Sequence, residues 1–231
     1  MSLPSSGLRV LCFATLVLAL SACGKDPTPD QAQADDAALQ DPDRHPTTLV
    51  GDSQAALQGA KAADDFRRAE RAAVGLSELL ISGLTRTMSE QGILPALTFC
   101  KEQAPRLAQQ MASQHGVRIG RVSVAGRQRN SGNAPATWQS RILAQFQHKV
   151  DQGAKPGDLV HVQTTELPDN VSLRVMYGIE AQPYCLSCHG SGNEVPEEVR
   201  TALAQLYPVD AATGFKRGDL RGALWVEVPA R

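Results

Sequence analysis

The chain has 231 residues, with 23 Lys and Arg against 24 Asp and Glu, for a net charge of −1. That balance does not suggest a nucleic-acid binder, which carries a strongly basic surface. Five cysteines in this length are too few for a disulfide-built scaffold.

The amino terminus reads as an export signal. Arg9 supplies the positive charge, and Val10 to Leu20 is apolar apart from Thr15. About a dozen residues is too short to span a bilayer and suits a signal-peptide core. The run ends in Leu20-Ser21-Ala22-Cys23-Gly24, which resembles a bacterial lipobox. Residues 1–22 are then a lipoprotein signal, and Cys23 carries lipid. A secretory signal with a coincidental cysteine is the alternative. Gly24 in place of aspartate favours the outer membrane, so the expected location is a Gram-negative cell envelope, anchored at Cys23 and facing the periplasm.

Residues 23–60 read as a disordered acidic tether, rich in Asp, Gln, Ala and Pro and poor in large apolar residues. Seven Asp against Lys25 and Arg44 give −5 over Gly24 to Gly59, leaving +3 for residues 60–231. The remainder, 61–231, is long enough for one domain with a proper core.

That domain opens with a long helix over about Ala62 to Glu90. Phe66, Ala69, Ala73, Leu76, Leu80, Leu84 and Met88 recur at three- and four-residue steps. A packing helix explains them, and it is also the candidate surface for a homodimer. Gly92 breaks the pattern. A second helix carries Leu97, Cys100, Ala104, Leu107 and Met111 on one stripe, which turns Cys100 inward. Pro105 predicts a kink one turn after it.

Val117 to Ala125 reads as a strand. The loop Arg127 to Pro135 ends in Asn133, a plausible helix N-cap, and Trp138, Ile142 and Phe146 mark a short amphipathic helix. Leu159 to Glu166 and Val171 to Glu180 form a hairpin, Pro196 to Tyr207 a helix and Leu220 to Val228 a last strand. Helices flanking an antiparallel sheet make an α+β domain.

Directly after the hairpin comes Cys185-Leu186-Ser187-Cys188-His189. Two thiols three positions apart, with an imidazole next, form the attachment pattern of c-type haem. Each thiol adds to one porphyrin vinyl group, and His189 supplies the proximal nitrogen to iron. A structural disulfide, a redox pair and half a zinc site compete with this reading. Zinc needs two further ligands at similar spacing, and the sequence has no second cluster. One haem c is therefore expected. Cys12 leaves with the signal, so Cys100 is the lone remaining thiol, with packing, pairing or metal binding open to it. His161, Met111 and Met176 are reserve axial ligands.

Several pieces occur together in order: Phe99-Cys100-Lys101 with Ala104-Pro105, Ser123, Arg129-Asn130, Asn133-Ala134-Pro135, Trp138, the haem motif, Tyr207 to Phe215, and Arg221-Gly222-Ala223. This order resembles a family of single-haem, PAS-like c-type domains, and the resemblance covers nearly all of residues 62–229. It implies a PAS-like antiparallel sheet holding one haem, with Cys100 matching a distal iron ligand. Arg129 and Asn130 become candidate polar contacts of the haem pocket. Ser131 and Gln139 depart from the family's proline and glutamate. Members often serve as extracytoplasmic sensing parts of receptors, and no output module follows the last strand here. The expected role is a lipid-anchored redox or small-gas sensor, for nitric oxide, that reports to a partner protein. A periplasmic electron-transfer cytochrome is the alternative. No enzymatic arrangement stands out, because Cys100 would fill the position a peroxidase keeps open.

Overall fold

The computed structural model describes residues 48–50, 53–57 and 59–231. The signal sequence, Cys23 and most of the acidic segment lie outside the described residues. Structure begins earlier than the tether reading expected. Thr48–Val50 forms strand β1 and Ser53–Ala56 a short helix, α1. β1 lies parallel to β3 (Leu159–Gln163), and buried Ser53 accepts the Val162 N–H at 2.9 Å. A three-residue strand held by pairing at a sheet edge leaves no apolar periodicity to read.

The sheet has the order β1-β3-β4-β5-β2, with β2 at Arg118–Ser123, β4 at Val171–Glu180 and β5 at Leu220–Pro229. All neighbours except β1–β3 are antiparallel. This is the expected PAS-like α+β architecture.

Both faces of the sheet are covered. On one lies α2 (Ala60–Gln91), whose Ala69, Ala72, Ala73 and Leu76 pack on Val175, Leu224, Val226 and Val228. Small residues let the helix approach closely, and Leu76 fills the gap. Asp65 ties this helix to the sheet, accepting from Ser172 Oγ at 2.8 Å and from Lys61 and Arg68 on its own helix. On the other face lies α5 (Thr137–Asp151), with Ile142, Leu143 and Phe146 against Val122, Met176, Leu220 and Ala223. There the Arg174 guanidinium sits 4.3 Å from the Trp138 ring centroid and pairs with Glu227 across the strands.

Two local expectations are corrected. α5 begins at Thr137, and Gln139 Oε1, not Asn133, caps it by accepting the Ala136 N–H at 2.8 Å. In the second helix the irregularity falls before Pro105. The helix runs as α3 (Ile93–Thr98), a π-helical turn over Phe99–Gln103 and α4 (Ala104–His115), with Pro105 in the first turn of α4. Proline is tolerated there because its missing N–H falls at the junction. The irregularity is the widened turn that contains Cys100.

Candidate haem site

The motif residues lie on α6 (Pro183–His189), which leaves the end of β4. Cys185 and Cys188 are three apart and His189 four from Cys185, so all three share one helix face. Cys185 is buried and Cys188 half-buried.

The segment Tyr207 to Phe215 wraps the histidine. His189 Nδ1 bonds the Ala212 carbonyl at 2.7 Å, and the Phe215 and Gly214 N–H groups donate to the His189 and Gly190 carbonyls. Because a carbonyl only accepts, Nδ1 carries the hydrogen and Nε2 is left as the acceptor. Phe215 is fully buried and meets the imidazole edge-on, with centroids 6.3 Å apart. Asp210 organises the wrap, since its Oδ1 accepts the Ala212 N–H at 2.8 Å and its Oδ2 pairs with Arg129 Nε at 2.9 Å. Arg129 Nη2 also donates to the Cys188 carbonyl at 2.6 Å.

Cys100 faces the same corner from the π-helical turn. It lies within electrostatic reach of Cys185 and Cys188, and of Arg121, Arg129 and Arg221. Burial raises the Cys100 thiol pKa, with the three arginines opposing it. Cys188 is pushed up to about 11, again by burial and against Arg129. His189 is held well below its ordinary range by burial and then by the Arg221 and Arg129 cations, with the Ala212 carbonyl opposing. Cys100 and Cys188 are therefore neutral thiols beside a neutral imidazole.

Arg221 Nη2 lies 2.7 Å from His189 Nε2. Arg121 stands near Arg221 and Cys100, and burial followed by the Arg221 charge lowers its pKa. The sequence reading assigned neither arginine a role, nor Asp210, nor the Ala212 carbonyl. For Arg221 the reason is local. Ile179 pairs with Gly222 and Glu180 with Leu220, so Arg221 is an extra residue on β5. Such a bulge re-aims side chains, and a glycine inside a strand pattern was the available signal.

Arg129 lies at this corner, bonding Asp210 and the Cys188 carbonyl. Asn130 is exposed, and its Oδ1 accepts the Gly132 N–H within its own loop. Two reserve ligands sit on the α5 face of the sheet: Met176 in that core, and His161 beside Trp138 and Ile142 in a pocket of about 460 Å³. Met111 is buried on the α2 face, about three turns along the helix from Cys100. Among the described residues, no three His, Cys, Asp or Glu side chains are placed to share one metal ion. The donors suit a different holder. Two thiols on one helix face can tether a vinyl-bearing porphyrin, an adjacent neutral imidazole can meet its iron, and a thiol across the corner can take the opposite position.

Comparison with known proteins identifies the family. A family model described as Tll0287-like matches residues 47–229. The crystal structure of the cyanobacterial heme-protein Tll0287 aligns with a TM-score of 0.53 and 26% identity, covering 73% of this chain and 96% of that one. No curated protein matches the chain.

Proposed function

Because the chain belongs to the Tll0287-like family, we propose that it binds one haem c, held covalently by Cys185 and Cys188, and serves as an envelope sensor of redox state or nitric oxide. The observation that carries this is the convergence of Cys100, Cys185, Cys188 and His189 on one corner, with His189 Nε2 turned into it. Haem supplies a one-electron iron centre able to take a small gas. Cys185 and Cys188 would hold the porphyrin through thioethers, each S–H adding across a vinyl C=C so that no oxidant would be consumed. His189 presents Nε2 because Ala212 holds its other nitrogen. Cys100 would be the second side chain offered to the iron, and as a thiolate it would favour the ferric state.

The π-helical turn supports sensing over electron carriage. Such turns are irregular in register and recur at functional sites. Loss of the Cys100 bond on reduction would let the turn relax and alter the surface offered to a partner. A carrier needs the opposite, both axial ligands kept in both states. The proposal includes anchorage at Cys23, in the outer membrane facing the periplasm, and no catalytic role. It extends to a homodimer through α2, where Val74 and Ile81 are exposed one heptad apart.

The test is spectroscopy of the full chain produced with export and haem-attachment machinery. Colour should survive denaturation and acid–acetone extraction, and disappear in the Cys185→Ser/Cys188→Ser variant. The ferric protein should show a low-spin thiolate signal that Cys100→Ala removes. Reduced protein should bind nitric oxide rapidly, with faster hydrogen exchange across residues 93–115. Unchanged six-coordinate ligation without gas binding would move the assignment to an electron-transfer cytochrome.

A further inference from the structure

The arginines on or beside the sheet and the haem corner differ in what they meet, and Arg127 stacks on Phe215 and donates to the Thr213 carbonyl. Arg118 and Arg174 both pair with Glu227, and Arg129 pairs with Asp210. Arg121 and Arg221 pair with no carboxylate among the described residues, and each lies in the other's field. Two partly buried cations side by side are costly unless something anionic joins them. Their placement is also built rather than incidental. Arg121 follows Ile119 at a two-residue step on β2, on the face that packs under α2. The bulge at Arg221 brings the second cation to meet it. Leu220 and Ala223, on either side of the bulge, both pack into the α5 core.

We infer that Arg121 and Arg221 form the clamp for the two carboxylates of the haem. The inference rests on the haem reading above. Arg221 contacts Nε2, the nitrogen that iron would need, so haem attachment must displace it. A guanidinium leaving that nitrogen beside a second unpaired arginine finds its natural partner in a carboxylate, which it can grip through two N–H bonds.

The experiment uses the full chain with haem attached, and the probes are resonance Raman of the propionate bending modes and redox titration. In the wild type these modes should shift in D2O, reporting N–H donation. Arg121→Gln and Arg221→Gln should each move the modes and shift the equilibrium about tenfold toward the oxidised form, about 59 mV for one electron, because a cation beside the haem is lost. Arg121→Lys and Arg221→Lys keep the charge, so they should hold the potential near wild type while still moving the modes. Arg141→Gln, exposed on α5, should change neither. A coloured wild type with D2O-insensitive propionate modes overturns the clamp without any variant having to fold. So does a potential that responds to millimolar phosphate while the modes stay fixed in the Gln variants, since the pair then serves a diffusible anion. A wild type that retains no colour overturns the haem reading first, and the clamp with it.

Discussion

Gly222 decides where Arg221 points. Its φ is +159°, and a Cβ there would stand 2.0 Å from the Val122 carbonyl oxygen on the neighbouring strand. No rotamer relieves a clash between a Cβ and backbone. Gly222→Ala should therefore cost at least about 2 kcal/mol in chemical denaturation, from strain and overpacking together. A loss below about 0.5 kcal/mol would show that the bulge can be rebuilt elsewhere. The same residue explains what could be read from sequence at this scale. Cys185, Cys188 and His189 could be singled out as candidates because their spacing is a local pattern. Arg221 could not, because simple alternation along β5 sends it to the α5 face with Ala223, and only the extra residue in register brings it to His189.

At the scale of elements, the second helix shows how periodicity can be right about a face and wrong about a shape. Leu97, Ala104 and Met111 are buried as their spacing implied. A five-residue π turn shifts the stripe too little to disturb that pattern, so the irregularity was assigned to Pro105, the visible helix breaker. What props the turn is α2: a Cβ on Gly83 would come within 2.4 Å of the Phe99 ring, next to Cys100. Gly83→Ala gains up to about 1 kcal/mol of helix propensity and must push the ring aside at a cost of about 1–3 kcal/mol. The expected result is a small net destabilisation with markedly faster hydrogen exchange across residues 93–115. Unchanged exchange would mean that Phe99 does not brace the turn. The attachment of α2 to the sheet has its own test in acid. Burial pushes the Asp65 carboxyl upward, but hydrogen bonds from Lys61 and Ser172 and the Lys61 and Arg68 charges hold its pKa below the ordinary 3.8. A carboxylate with a lowered folded-state pKa contributes stability above its unfolded value, and that contribution is lost as pH falls through the folded value. Asp65→Asn should lower stability at neutral pH by about 1–3 kcal/mol. The gap between wild type and variant should narrow below about pH 4. A gap constant with pH would remove Asp65 from the acid response.

At the scale of the whole molecule, the proposed location rests on Cys23. Gly24 to Gly59 holds a charge of −5 while residues 60–231 hold +3. An acidic segment gains nothing from an anionic leaflet, and +3 spread over a whole domain is far from the clustered basic patch that binds membranes. No described helix is long and apolar enough to cross a membrane. Membrane residence would then rest on lipid at Cys23. One acyl chain binds only marginally and reversibly, whereas a diacylglyceryl group with a further acyl chain supplies more than the two signals that stable anchoring takes. Cys23→Ser should accordingly move the protein from the membrane fraction to the soluble fraction or leave it uncleaved. The haem site should stay intact, since its residues all lie beyond residue 99. Fractionation and intact mass check both parts together. A mature amino terminus at another residue, without lipid, would show that the apolar run from Val10 is an ordinary secretory signal and that the domain moves freely among its partners.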